Sequence, residues 1–215
     1  MSARRLQRIR SVLAQRQFDF TVILENVHKP HNLSAIMRSC DATGVPEVHA
    51  IQSDASFNKM PSHTAAGSDR WVKITQHHNT QTCLKHLKAK GFTIYAAHFS
   101  DQSQCLYDID FKPQTAVLFG QEKWGVSDIA AEQTDGHILI PMHGMVDSLN
   151  VSVAAALVLY EMQRQRQQAG RYKQCQLSKA QLDKLVFEWC QPKMAQYYQQ
   201  KGLPYPELDQ DGDIL

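Results

Sequence analysis

The chain is predicted to be an α/β protein, a parallel sheet with helices on both faces. Three observations predict it. From residue 21 to residue 168, short β-branched or apolar runs alternate with segments of helical periodicity, an order that makes successive strands parallel and sends helices to both faces. Two runs, Leu118-Phe-Gly-Gln-Glu-Lys-Trp-Gly-Val-Ser127 and Ile140-Pro-Met-His-Gly-Met-Val-Asp-Ser-Leu-Asn-Val-Ser-Val153, each follow an apolar stretch, turn on glycine or proline and lead into a predicted helix. Loops of that kind gather at the carboxyl ends of neighbouring parallel strands, where such sheets bind ligands. With 215 residues, 43% hydrophobic and 20% charged, the chain can fill one core and carry terminal extensions.

The elements follow in order. Residues 3–16 set Leu6, Ile9, Val12 and Leu13 on one narrow helical face among Arg4, Arg5, Arg8, Arg10 and Arg16. Five arginines before the first acidic residue, Asp19, favour an RNA-contacting arm over a helix docked on its own domain. Residues 21–24 read as a strand. Asn32, a favoured N-cap, opens a helix that ends near Gly44. Strands are expected at 48–51 and 71–74, a helix at 80–90 stopped by Gly91, and strands at 92–97, 115–119 and 137–140. The helix at 150–168 is apolar nearly all round from 151 to 160, so it needs cover on a second side, which a second copy of the chain would supply. Amphipathic segments at 178–190 and 192–201 precede an acidic tail expected to be mobile. The expected organisation is a basic helical extension at 1–18, a main domain at 19–169 and a helical extension at 170–215.

Several function classes are excluded. No apolar stretch is long enough to cross a bilayer, and the arginine-rich start lacks the apolar segment of a secretory signal; a cytoplasmic protein is expected. Five scattered cysteines without a C-x-x-C pair suggest reduced thiols, neither a disulfide framework nor a zinc site. His77-His78 has no third ligand at a recognisable spacing and is expected in an exposed loop, so no metal is expected. Gly120 and Gly125 have phosphate-loop spacing, but Val126 and Ser127 stand where lysine and a hydroxyl residue belong, and no G-x-G-x-x-G occurs. Nucleoside triphosphates and dinucleotides are therefore poor ligands. Net charge is only +2, but the arginines cluster at the start and acidic residues at the end. A basic stripe binds phosphates whatever the total charge.

Taken singly, the polar candidates have ordinary readings. Arg38 could pair with Asp41, Glu122 could be a loop carboxylate near Lys123, and Ser148 and Asn150 could cap a helix. In combination they say more: Asn32 and Arg38, then Gly120-x-Glu122-x-x-Gly125-x-Ser127, then Ile140-Pro-Met142 with Ser148-Leu-Asn150-Val-Ser152, each after a predicted strand.

That ordered set resembles the three motifs of the SPOUT RNA methyltransferases, in their tRNA/rRNA ribose-methylating branch. With the Glu25-Asn-Val-His-Lys-Pro-His-Asn32 entry and Gln163-Arg-Gln-Arg166, the chain is most similar to the tRNA guanosine-18 2′-O-methyltransferases of that branch. The resemblance runs from the arginine-rich start to Lys201-Gly-Leu-Pro-Tyr-Pro206. It implies a carboxyl-terminal trefoil knot, a rare exception among folds, and S-adenosylmethionine held by backbone groups around Gly120, Ile140, Met142 and Leu149, with Ala97 at an earlier strand end. Relatives often carry threonine at the position of Ala97; a backbone contact survives that change and a hydroxyl contact does not. Arg38 is implied as essential, Asn32 as its holder or the ribose's, Ser148 and Asn150 as walls of the ribose pocket, and Glu122 as organiser of the loop. A homodimer is implied, with tRNA as substrate and its phosphates meeting Arg4, Arg5, Arg8 and Arg10 from one end and Arg164, Arg166, Arg171 and Lys173 from the other. Ribosomal-RNA ribose methylation and a non-catalytic RNA-binding dimer on the same fold remain the alternatives.

Overall fold

The computed structural model describes residues 2–52 and 70–215. They divide into two compact units, Phe18–Ala169 and, together, Met1–Gln17 with Gly170–Leu215.

The larger unit is a seven-stranded sheet with every pair parallel. Its strands are β1 (Phe20–Glu25), β2 (Glu47–Ile51), β3 (Lys73–His77), β4 (Thr93–Ala97), β5 (Ser103–Cys105), β6 (Thr115–Phe119) and β7 (Gly136–Leu139), in the spatial order β3-β2-β1-β6-β4-β7-β5. The central strands β1 and β6 are buried at every position, and Val22 pairs with Val48 on one side and Val117 on the other. A parallel strand covered on both faces has no solvent side, which explains its continuous apolar run. Helices α2 (Pro30–Thr43) and α5 (Val151–Gln168) pack one face through Ile36, Met37, Cys40, Val158, Leu159 and Met162. Helices α3 (Thr80–Ala89) and α4 (Asp128–Gln133) pack the other through Cys83, Leu84, Leu87 and Ala130.

The helix boundaries have local causes. Pro30 opens α2, because its fixed φ suits the first turn and it has no N–H to satisfy, while Lys29 before it is held extended. Asn32 is therefore inside the first turn and is not the N-cap that its residue type suggested. Gly44, at φ +82°, closes the helix, with Val45 N donating to the Cys40 carbonyl at 2.8 Å and Gly44 N to that of Asp41 at 3.2 Å. Such a left-handed cap suits glycine, which lacks a Cβ to clash. The edge strand β3 begins two residues later than expected, β5 was not foreseen, and the helix expected to follow Ser127 is α4. Ser103-Gln-Cys105 has no apolar run to mark a strand, and α4 is only six residues long.

Arg166, expected to meet RNA phosphates, is wholly buried. It donates from Nε to the Phe111 carbonyl and from Nη2 to that of Pro113, both at 2.8 Å, and pairs through Nη1 with Asp19. Its guanidinium lies 5.4 Å from the Phe20 ring centroid. A buried charge is tolerable only when paired and hydrogen-bonded, as here. The helical spacing from Val158 through Met162 to Arg166 already places it on the inner face of α5. Arg164 sits half-exposed on that helix, paired with Glu161 at 2.7 Å.

His77 is not in an exposed loop. It ends β3, half-buried, with its Nε2 2.9 Å from Nδ1 of the buried His49; only His78 is exposed. Burial pushes His49 down to about 4, opposed by Glu47 and assisted by His77, His86 and Lys90. An unfolded chain protonates this histidine below roughly pH 6.5 and the folded one does not, so stability is lost as pH falls through that window. Between pH 7 and pH 5 we expect His49 to remove roughly 2 kcal/mol of stability. Urea melts at the two pH values check this, and His49→Gln should flatten the difference.

In the smaller unit, α1 (Ala3–Ala14) is a docked helix and not a free arm. Leu6, Ile9 and Leu13 pack with Val186 of α6 (Lys179–Cys190), and Arg16 is buried against Trp189, its guanidinium 5.4 Å from the ring centroid. Arg4, Arg5 and Arg8 are exposed, while Arg10 pairs with Asp183 at 3.6 Å. Lys173 is exposed and Arg171 half-buried in a short 3-10 turn. After α7 (Pro192–Lys201), the acidic end expected to be mobile is folded back: Asp209 accepts from the backbone N–H groups of Asp211 and Asp213, and Asp211 accepts from that of Ala3.

Candidate active site

Three segments far apart in sequence meet at one carboxylate. Glu122, in the loop after β6, accepts at Oε1 from the side-chain amides of Asn32 (2.7 Å) and Asn150 (2.8 Å), and at Oε2 from Lys29. The Asn150 amide also reaches Asn32 Oδ1 at 3.2 Å, closing a triangle. Asn150 is simultaneously the N-cap of α5, its Oδ1 accepting from Ser152 N at 2.9 Å and Ser152 Oγ at 2.6 Å. Every polar atom of that side chain is thus committed, which fixes where α5 begins.

Hydrogen bonds from Lys29 and Asn32 hold the Glu122 carboxyl below the usual carboxylate range. It stays ionised at neutral pH, with both oxygens accepting, so it is suited to holding chain segments in place and poorly suited to giving or taking a proton. Beside it lies a cavity of about 480 Å³ lined by Asn26, His28, Lys29, Asn32, Glu122 and Lys123. Asn26 takes a left-handed backbone conformation there, φ +54°, which asparagine tolerates better than most side chains. A larger cavity, about 710 Å³, belongs to the smaller unit and contains none of these groups.

Ser127 has a structural task. It caps α4 and donates through both N and Oγ to the buried Glu25, which also accepts from Thr80. Lys29 and Glu25 were missed as site residues. Their only signal was lying in the quoted 25–32 segment, and nothing in that segment shows which carboxylate or hydroxyl lies opposite.

The residues expected at a cofactor align along one sheet edge. Ala97 ends β4, Gly120 follows β6 and Ile140 follows β7, and these three strands are neighbours in the order β6-β4-β7. Their carboxyl ends therefore face one crevice. A Cβ on Gly120 would lie 2.1 Å from the Gly125 carbonyl oxygen, because residues 120–125 double back through paired Gln121 and Gly125 backbone bonds of 3.1 and 2.8 Å. Met142 and Leu149 are half-buried in the following loop, and among the described residues the backbone of 142–149 bonds to no other backbone. Those groups are available to a ligand.

Two candidates stand apart from the triangle. Ser148 is exposed and caps nothing. Arg38 is exposed, six residues beyond Asn32 on α2, which places it about 9 Å further along the axis and roughly 120° around it. Among the described residues it forms no ion pair with Asp41 or any other carboxylate, so its guanidinium faces outward uncommitted.

Comparison with known proteins identifies the family. Residues 19–160 match the SpoU rRNA Methylase family and residues 164–215 the family's C-terminal region, SpoU, rRNA methylase, C-terminal. The tRNA (guanosine(18)-2'-O)-methyltransferase of Escherichia coli K12 is 47% identical over 216 residues, covering 100% of this chain and 94% of that protein. The crystal structure of the Aquifex aeolicus TrmH/SpoU tRNA modifying enzyme superposes with a TM-score of 0.81 at 39% identity, covering 86% of this chain and 94% of the other. An AdoMet-bound rRNA methyltransferase from Sinorhizobium meliloti superposes with a TM-score of 0.62 at 27% identity, covering 73% of this chain and 59% of its own. Family models matching residues 19–160 and 164–215, with a relative 47% identical over the whole chain, decide it: the chain belongs to the SpoU rRNA Methylase family.

Proposed function

We propose that this chain methylates the ribose 2′-oxygen of guanosine 18 in tRNA, using S-adenosylmethionine. The observation that carries the reading is the Asn32–Glu122–Asn150 triangle beside the crevice at the ends of β6, β4 and β7. The full-length likeness to the E. coli enzyme supports guanosine 18 of tRNA over ribosomal RNA. The backbone of 142–149, which among the described residues bonds to no other backbone, and the tight turn at Gly120 are compatible with an adenosyl group, with Ala97, Ile140, Met142 and Leu149 as the other walls. When bound, S-adenosylmethionine supplies an electrophilic methyl group, and the reaction needs the ribose oxygen aligned behind it and relieved of its proton.

The residues divide that work. Glu122 is a positioning residue: it locks Asn150 and Asn32, and through them the starts of α5 and α2. Ser148 and Asn150 shape the ribose pocket. Arg38 holds a substrate phosphate and stabilises negative charge growing on the 2′-oxygen; a guanidinium stays protonated in proteins, so it acts as a cation and not as a base. The family's trefoil knot belongs to the same reading, supported by the likeness to the Aquifex aeolicus structure.

The test is transfer of labelled methyl to a tRNA transcript. Label is expected at guanosine 18, and a transcript with 2′-deoxyguanosine there should take none. Label appearing in ribosomal RNA instead overturns the assignment.

The proposal includes a homodimer. Val153, Leu157 and Tyr160 form a stripe on α5 that is 48%, 39% and 54% exposed, an apolar seam left over once the inner face has packed on the sheet. Sedimentation should give a dimer at micromolar concentration, and Leu157→Glu should shift it towards monomer. A wild-type monomer with full activity overturns the dimer.

Phosphates of tRNA meet Arg4, Arg5, Arg8, Arg171 and Lys173 on the smaller unit and Arg164 on the larger. Arg166 is withdrawn from this set by its burial. Deleting α1 would strip the apolar cover from α6, so the cleaner variant is Arg4→Gln, Arg5→Gln, Arg8→Gln. It should reduce the slope of log affinity against log salt by about one for each phosphate no longer neutralised, leaving cofactor affinity unchanged. An unchanged slope measured by filter binding makes α1 a structural helix only.

No described helix is long and apolar enough to cross a membrane, and the proposed tRNA substrate supports a cytoplasmic enzyme.

A further inference from the structure

The other face of the sheet carries a cluster that ribose methylation does not use. His49 from β2, His77 from β3 and Cys83 from α3 bring one nitrogen, one nitrogen and one sulfur within 4.8 Å of one another. These three elements are brought together at the β3 edge by the parallel register that sets Ile51 beside His77. Cys83 packs with Leu84 and Leu87 in the α3 core, whereas Asn32 and Asn150 belong to α2 and α5 across the sheet. One turn along α3 from Cys83, on the same side, stands the exposed His86, its ring centroid 5.8 Å from that of His77 and 6.2 Å from that of His49.

The geometry points to a structural site for a divalent transition metal of the zinc class, ligated by His49 Nδ1, His77 Nε2, Cys83 Sγ and His86. Imidazole and thiolate together are the donor set such ions prefer, and a closed set of four protein ligands marks a structural site. For the two histidines the distances are close to what a tetrahedral ion needs, while Cys83 Sγ, within 4.8 Å of the nitrogens, must close to about 3.5 Å. With metal–nitrogen bonds of 2.0–2.1 Å, two ligating nitrogens sit about 3.3 Å apart and their ring centroids roughly 5.2 Å apart. His49 and His77 have nitrogens 2.9 Å apart and centroids 5.1 Å apart. A few tenths of an ångström of opening admits the ion between them, and His86, being exposed, completes the set by a side-chain rotation.

Lys90 and His78 face the histidines, and Glu47 faces His49 from β2. Glu25 faces Cys83, whose thiol burial pushes up to about 12, so the ion has to displace a firmly held proton. Binding removes the Cys83 proton, as coordination does to a thiol. The ion would tie the edge strand β3 to β2 and α3, adding to the parallel β2–β3 ladder and to the bonds from Lys73 and Thr75 to Glu47. Cys83 and His86 are only three residues apart, but His49 and His77 lie 28 residues from each other. That is why linear spacing did not show the set.

The test uses the untagged full-length chain, dialysed against chelator and titrated with Co²⁺ alone, then Zn²⁺. One equivalent of cobalt should bind per chain, with the intense visible bands of a tetrahedral site and a near-ultraviolet thiolate-to-cobalt band, and zinc should displace it. The thiolate band should vanish in Cys83→Ser and persist in a Cys175→Ser, Cys190→Ser variant. His86→Ala changes only an exposed side chain and should weaken cobalt binding at least about tenfold, as should His77→Ala. These two variants decide the matter even where Cys83→Ser does not fold. Failure to bind one equivalent, a cobalt spectrum without the thiolate band, or undiminished affinity in both histidine variants overturns the site.

Discussion

Arg38→Ala is expected to lower the rate of methyl transfer by roughly 10²–10³-fold, the usual cost of removing one preorganised group that stabilises developing negative charge, with S-adenosylmethionine affinity near the parent value. The placement explains the split. Arg38 is exposed on α2 and forms no ion pair among the described residues, whereas the proposed cofactor crevice lies at strand ends and loops at 97, 120, 140, 142 and 149. A cation held outward without an internal partner is available to an anionic substrate and loses nothing structural when removed. Single-turnover kinetics read the first effect and calorimetry the second. Arg38→Lys should recover only part of the rate, since an ammonium lacks the planar fork that grips phosphate. If cofactor affinity falls as far as the rate, Arg38 belongs to the cofactor site instead.

Gly120→Ala is expected to reduce kcat/KM by roughly 10²-fold, the cost of shifting reacting groups by about an ångström, and to weaken cofactor binding with it. The new Cβ would stand 2.1 Å from the Gly125 carbonyl oxygen and 2.4 Å from Val126 N. Both are backbone atoms, so the turn must open, and Glu122 sits inside that turn. Moving Glu122 releases Asn150 and Asn32 together, so one methyl group disturbs the cofactor wall and the ribose pocket at once. Wild-type kcat/KM and cofactor affinity in Gly120→Ala would show that the tight turn has no catalytic consequence.

Much of the larger unit was legible because its signals are local. A strand buried on both faces must be apolar throughout, and β1 and β6 read that way in the bare sequence. Glycine after the last helical residue, as at Gly44 and Gly91, stops a helix whatever lies around it. Reading failed where a signal was short or depended on a partner. The three residues of β5 carry no pattern of their own, and α1 shows an apolar stripe without showing that Val186 covers it. Arg166 and Arg164 are two residues apart in one basic run, yet one is sealed against Asp19 and two carbonyls and the other stays half-exposed. Helical phase separates them, and the phase is set by which side of α5 meets the sheet.

The candidate site divides the same way. Sequence by itself determined that Asn32, Glu122, Ser148 and Asn150 belong to one family motif set and that neither phosphate-loop nor dinucleotide chemistry is available, because residue type and spacing settle those questions. Only the tertiary structure decided that Glu122 is the knot of hydrogen bonds among Lys29, Asn32 and Asn150, that Ser127 and Glu25 brace the loop, and that His49, His77 and Cys83 converge across the sheet. Apart from His77 and Cys83, these contacts join residues from 28 to 118 positions apart. Their distances follow from strand order and register, which arise from how buried surfaces across the whole chain pack together, and no local pattern encodes them.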